Sequence, residues 1–165
     1  MNIRIAGVTN DSIVDGPGFR LAVFTQGCPH HCPGCHNPET HDPAGGRDAD
    51  TAQIIAALEK NPLLSGVTLT GGEPMMQPEA CLEIARAAHA AGKNVWCYTG
   101  FTFEALMKEN DPARMALLQE VDVLVDGPFV LAERSLEVRF RGSKNQRLID
   151  VKQSLAQGTA VCRAE

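Results

Sequence analysis

Residues 27–42, GCPHHCPGCHNPETHD, place three cysteines and four histidines in one short window. Cys28, Cys32 and Cys35 supply thiolates at x3 and x2 spacing, and thiolates are soft donors suited to zinc or iron–sulfur centres. A tetrahedral zinc site needs a fourth ligand, for which His30, His31, His36 and His41 are candidates. A [4Fe–4S] cluster usually takes four cysteines, so three leave one iron open to another group. On this window alone the two readings stand side by side.

Four further stretches carry unusual residues. In TGGEP (70–74) the glycines allow a backbone to approach a ligand closely, and Glu73 stands near a helix start. VDGPGFR (14–20) has strong turn chemistry at Asp15-Gly16-Pro17-Gly18. NVWCYTG (94–100) ends in Tyr98-Thr99-Gly100, where Thr99 could cap a following helix. VDGPF (125–129) brings Asp126 to a turn.

Alternating strand and helix patterns position these stretches. Residues 3–8 read as a first strand or edge segment and 20–27 as a buried strand. Asp50 and Gln53 resemble a capping box ahead of an Ile54, Ile55, Leu58 stripe, and Pro62 stops that helix. A strand at 66–71, a helix with Pro78 near its first turn and Gly92 past its end, and a strand at 94–98 follow. Helices over about 102–110 and 113–120 and a strand at 121–126 complete the pattern. Such alternation predicts parallel strands joined by right-handed crossovers. The loops holding the cysteines, Thr70–Pro74, Tyr98–Gly100 and Asp126–Phe129 each follow a strand, and sites in parallel α/β folds form at that edge. Four such loops on one edge point to an enzyme.

Composition sets the outer limits. A chain of 165 residues fits one domain and can bury a core without a metal staple. A net charge of −5 excludes nonspecific nucleic-acid binding as the general function. Residues 134–152 depart from it, with six basic residues against Glu137 and Asp150, net +4. No apolar run is long enough to span a bilayer, and MNIRIAGVTNDS lacks a signal-peptide core, so the expected location is cytoplasmic. There the six cysteines are thiols or metal ligands, with Cys81 and Cys97 read as small core residues.

The cysteine spacing together with GGEP resembles the radical S-adenosylmethionine superfamily, and DGPG-x-R with CPGC resembles its glycyl-radical-enzyme activating group. The resemblance covers about residues 13–151; the tail 152–165 carries no interpretable signal. It implies that Cys28, Cys32 and Cys35 hold a [4Fe–4S] cluster whose fourth iron chelates S-adenosylmethionine. Electron transfer to the sulfonium then gives methionine and a 5′-deoxyadenosyl radical, which abstracts hydrogen from a glycine of a partner enzyme. Gly71, Gly72 and Glu73 are implied contacts of the methionyl amino group, with Thr99 and Asp126 near the same ligand. Gly34 stands where most of the superfamily has an aromatic residue beside the adenine, and His36 or nearby backbone is implied as a substitute.

The closing segment RFRGSKNQRLIDV (139–151) resembles activators whose partner is the large subunit of anaerobic ribonucleoside-triphosphate reductase. A basic stretch from Arg139 to Arg147 would meet that partner or the cofactor carboxylate. A low-potential donor such as flavodoxin is implied as electron source, and a homodimer is compatible with the reading. The alternatives are an activator of another glycyl-radical enzyme, such as pyruvate formate-lyase, and a non-enzymatic zinc module. Because eight-stranded barrels take about 250 residues, the expected fold is an open partial (β/α) barrel, a mostly parallel sheet of about five strands forming a single domain over 1–165.

Overall fold

Four short segments with apolar, β-prone side chains form the centre of the sheet: β2 (Arg20–Thr25), β4 (Gly66–Gly71), β5 (Asn94–Tyr98) and β6 (Val123–Asp126). In the computed structural model, which describes residues 1–163, these four pair in parallel in that order. Three antiparallel strands flank them. β1 (Asn2–Ser12) runs along β2, β3 (Arg47–Asp50) along β1, and β7 (Arg147–Asp150) along β6. The result is an open α/β sheet of order β3-β1-β2-β4-β5-β6-β7, mostly parallel at its core.

Seven strands thus stand where about five were expected. β3 reads RDAD, too polar to signal a strand, and β7 follows a loop-like run. Both are four residues long, as edge strands often are, and their pairing comes from their neighbours rather than from their own composition.

Alternation along the strands separates two faces. Leu21, Val23, Val67, Leu69, Cys97 and Leu124 join one large core with the helices. Those are α1 (Thr51–Lys60), α2 (Pro78–Ala90), α3 (Phe103–Glu109), α4 (Pro112–Gln119) and α5 (Val151–Gln157). Side-chain oxygens of Asp50, Thr102, Asp111 and Asp150 cap α1, α3, α4 and α5, each accepting a free first-turn N–H. Cys81 and Cys97 are both fully buried in this core, and burial pushes the Cys81 thiol up to about 12. Among the described residues no helix is long and apolar enough to cross a membrane.

Trp96, Val123, Val125 and Leu148 line the opposite face beneath Tyr98 and Phe140. Arg20 is fully buried here. Its guanidinium donates to Thr68 Oγ1 at 2.7 Å, Val67 O at 2.9 Å and Pro17 O at 3.1 Å, and it lies over the Trp96 ring. Burial lowers its pKa to about 10, partly offset by Tyr98, Asp122 and Asp15. The arginine of DGPG-x-R therefore ties its turn to β4: Thr68 Oγ1 also donates to Asp15 O. After α5 the tail turns back, with Asp150 N–H bonded to Val161 O and Arg163 N–H to Leu148 O, so it covers the outer edge of β7. Its last two residues, 164 and 165, lie outside the described residues.

Candidate active site

Register decides where the motifs meet. Thr25 pairs with Gly71, Leu69 with Cys97 and Tyr98 with Val125, so the four parallel strands end at one level. Their following loops surround a cleft of about 350 Å³. Its lining includes Cys28, Cys32, Cys35 and His36 from the first loop, Gly71 and Gly72 from the second, Thr99 and Gly100 from the third, and Phe129 from the fourth.

The cysteine loop is closed at its neck. Gly27 N–H bonds to Thr40 O at 2.7 Å and Cys28 N–H to His41 O at 3.1 Å. Gln26, 3 % exposed, donates its carboxamide N–H to Glu39 O and Asp42 O and so holds the returning chain. Beyond that neck the three cysteines are only partly buried and open to the cleft. Burial pushes the Cys28 thiol up; the negative Glu73, Cys32 and Cys35 add to this, and the His30 backbone N–H opposes it. A cationic iron centre bound there would favour the thiolate forms that ligation needs.

The donor set fits a cluster. Three soft sulfurs line one cleft, while Cys81 and Cys97 sit in the helix-side core and Cys162 lies on the β7 edge. Backbone support is present as well: Asn37 N–H points at Cys35 Sγ at 3.4 Å.

Gly71 and Gly72 form the floor opposite the cysteines. Gly71 has φ +91°, and a side chain there would meet the Thr25 and Phe24 backbone. A Cβ on Gly72 would lie 2.5 Å from Gly27 O and 2.9 Å from Thr40 O. The two glycines let β4 end in direct backbone contact with the end of β2, through Gly72 N–H to Thr25 O, and with the start of the cysteine loop, through Glu73 N–H to Gly27 O.

Glu73, expected at the ligand, lies beneath the floor. It is fully buried, and its carboxylate accepts from Met75 N–H, Gly100 N–H, Thr99 Oγ1 and His30 Nε2. Thr99 lines the cleft but spends its hydroxyl proton on Glu73 and receives Phe101 N–H, so Thr102 rather than Thr99 caps α3. Asp126, expected to face the same ligand, is 1 % exposed and turned into the protein. It accepts from Phe103 N–H at 2.8 Å and from two nitrogens of Arg147, which also pairs with Glu104. Hydrogen bonds to these two carboxylates raise the Arg147 pKa, and Arg147 in turn lowers that of Glu104. Arg147 is therefore a tie between α3, β6 and β7 rather than a member of a free basic surface.

Gly34 has φ +74°, and a Cβ there would stand 2.8 Å from Leu131 and 3.4 Å from Phe129. A Cβ on Gly142 would meet the other side of Phe129 at 2.9 Å. The Phe129 ring thus sits between two glycines, its centroid 5.1 Å from that of His36. The RGS-x-NQ segment holds it there. Gln146 Oε1 accepts Gly142 N–H and Ser143 N–H, Gln146 Nε2 donates to Gly127 O, Asn145 Nδ2 donates to Pro128 O, and Ser143 Oγ accepts Val130 N–H. An aromatic ring absent beside Cys35 in sequence is supplied beside it in space. The sequence offered His30 only as a candidate metal ligand and Phe129 only as the end of a turn, since neither the Glu73 bond nor the packing against His36 is local.

Comparison with known proteins agrees with this class of site. The model of the 4Fe-4S single cluster domain family matches residues 14–149. The anaerobic ribonucleoside-triphosphate reductase-activating protein of Escherichia coli K12 is 35 % identical over 143 residues, covering 81 % of this chain and 90 % of that protein. The protein of that name from phage T4 is 35 % identical, covering 82 % and 86 %, and that from Vibrio cholerae O1 is 34 % identical, covering 81 % and 89 %. The crystal structure of QueE from Escherichia coli superposes with a TM-score of 0.48 at 18 % identity, covering 62 % of this chain and 54 % of QueE. The chain belongs to the 4Fe-4S single-cluster family, within its branch of reductase-activating proteins. It is an enzyme of this family, and its cluster is of the [4Fe–4S] type.

Proposed function

We propose that this protein activates anaerobic ribonucleoside-triphosphate reductase by generating a glycyl radical on its large subunit. The observation that carries the proposal is one cleft lined at once by Cys28, Cys32, Cys35, Gly71 and Gly72. The names of its relatives support the choice of partner over other glycyl-radical enzymes. When bound, the cluster and S-adenosylmethionine together would supply the one-electron cleavage and the hydrogen abstraction, chemistry that the closed-shell side chains lining the cleft do not provide.

The chain's own residues do the rest. Cys28, Cys32 and Cys35 would hold the cluster. The backbone at Gly71 and Gly72, which lines the cleft without side chains, would receive the amino group of the co-substrate. Phe129 and His36 present ring faces for its planar base. The loops at 127–130 and 141–146, stitched together, wall the cleft on its far side and exclude water from the reacting carbon. A low-potential donor such as flavodoxin provides the electron, in a reducing cytoplasm where these thiols stay free.

Anaerobically reconstituted protein, reduced and mixed with S-adenosylmethionine and the reductase, gives a glycyl-radical electron paramagnetic resonance signal. Zinc in place of iron after reconstitution would overturn the reading. A signal obtained with pyruvate formate-lyase but not with the reductase would reassign the partner. Cys32→Ala abolishes reductive cleavage of S-adenosylmethionine, and retained cleavage removes Cys32 from the ligand set.

A further inference from the structure

His30 lies between two proposed iron ligands, Cys28 and Cys32, but is turned away from the role of ligand. Its Nε2–H donates to Oε1 of Glu73 at 2.6 Å, and its ring meets Phe101 edge-on with centroids 4.7 Å apart. Gly100 makes room for it, since a Cβ there would collide with the imidazole. The acceptor is immobile. Glu73 is 0 % exposed, and three further donors fix it: Met75 N–H at 3.0 Å, Gly100 N–H at 2.8 Å and Thr99 Oγ1 at 2.9 Å. Those donors come from the ends of β4 and β5. One carboxylate therefore joins the cysteine loop to both strand ends through a single imidazole.

The other bonds on the loop act elsewhere. The neck bonds at Gly27 and Cys28 fix where the loop leaves and returns, and Cys35 N–H to Cys32 O fixes its far turn. His30 alone among the four histidines of this loop has a carboxylate partner among the described residues. The neighbouring His31 meets the His41 ring at 5.6 Å between centroids.

We propose that His30 is a positioning residue, which through Glu73 sets the placement of Cys28 and Cys32 over the Gly71–Gly72 floor. The inference rests on the proposed cluster but not on any partner or substrate. A part-buried bond to a fixed acceptor resists local opening of the loop, and opening is what exposes a cluster to loss.

The test is iron release from the anaerobically reconstituted full chain into a strong iron(II) chelator, without S-adenosylmethionine or reductase. His30→Ala releases iron about tenfold faster than the parent, the factor that about 1.4 kcal/mol of lost bonding represents. His30→Gln, whose amide N–H can still donate to Glu73, releases it within about twofold of the parent. His31→Asn, a change on the same loop that leaves the bond intact, releases iron at the parental rate. Far-ultraviolet circular dichroism and melting of the apo chain confirm that each variant folds. Parental release from His30→Ala overturns the proposal, as does equally fast release from folded His30→Gln and His30→Ala. If His30→Ala does not fold, His30→Gln and His31→Asn decide: parental release from both supports the role, and fast release from His30→Gln refutes it. A parent that takes up no iron overturns the proposed function itself, a result distinct from any difference between variants.

Discussion

Gly72→Ala and Gly34→Ala make the same chemical change at two glycines near the cleft, and the structure predicts different costs. At Gly34 the backbone is left-handed, φ +74°, so alanine costs about 1–2 kcal/mol in conformational strain. Its Cβ would meet Leu131 Cδ1 at 2.8 Å, but Leu131 is half exposed and its tip can swing away. At Gly72 no backbone strain arises, and the cost is steric. The new Cβ stands 2.5 Å from Gly27 O and 2.9 Å from Thr40 O, both main-chain atoms. Relief requires the neck of the cysteine loop to move by several tenths of an ångström. That movement stretches the 2.8 Å bond from Glu73 N–H to Gly27 O and the 2.7 Å bond from Gly27 N–H to Thr40 O. Overpacking against atoms that cannot rotate costs about 3 kcal/mol, the upper part of the usual range. For a domain of this length each kcal/mol lowers Tm by about 2–4 °C. Apo Gly72→Ala therefore melts about 6–12 °C below the parent, and Gly34→Ala about 2–8 °C below. On reconstitution Gly72→Ala also takes up less iron, whereas Gly34→Ala loads normally. Equal melting of Gly72→Ala and parent, or normal iron uptake by Gly72→Ala, would refute the claim that Gly72 brings the end of β4 into direct backbone contact with the cysteine loop.

Other perturbations have equally definite outcomes. Phe129→Ala weakens S-adenosylmethionine binding by about tenfold to a hundredfold, as loss of base stacking does, while iron content stays parental; unchanged affinity removes Phe129 from the base-binding wall. Asp126→Ala strips Arg147 and Phe103 N–H of a buried acceptor and lowers apo stability by about 3 kcal/mol in urea unfolding; a loss below about 1 kcal/mol would show the tie to be dispensable. Burial opposes a charge on His89, but its bonds to Asp122 at 2.8 Å and Glu120 at 2.9 Å raise its pKa. That contribution is fully present below the unfolded value near 6.5 and is lost as pH rises through the raised folded value. The Tm gap between parent and His89→Gln accordingly narrows above neutral pH, and a gap that widens there contradicts the assignment.

The sequence by itself determined the chemistry and its place on the fold. Cys28, Cys32 and Cys35 lie within eight residues, and TGGEP is a single turn, so both are local patterns that need no folded context to be read. The alternation of apolar strand and amphipathic helix likewise placed their loops at one sheet edge. Edge strands were less legible, because RDAD becomes a strand only when β1 offers it a partner. Tertiary structure alone decided which side chains reach the cleft. Asp126 and Glu73 look like ligand contacts in their motifs, but a buried carboxylate is drawn to the nearest fixed donors, here the ends of β5 and α3. Gly34 is a lone glycine in the sequence. Its reason, a left-handed φ of +74° with Leu131 2.8 Å and Phe129 3.4 Å from where a Cβ would stand, involves a segment nearly a hundred residues away, and excluded volume between such segments exists only after the sheet has brought them together.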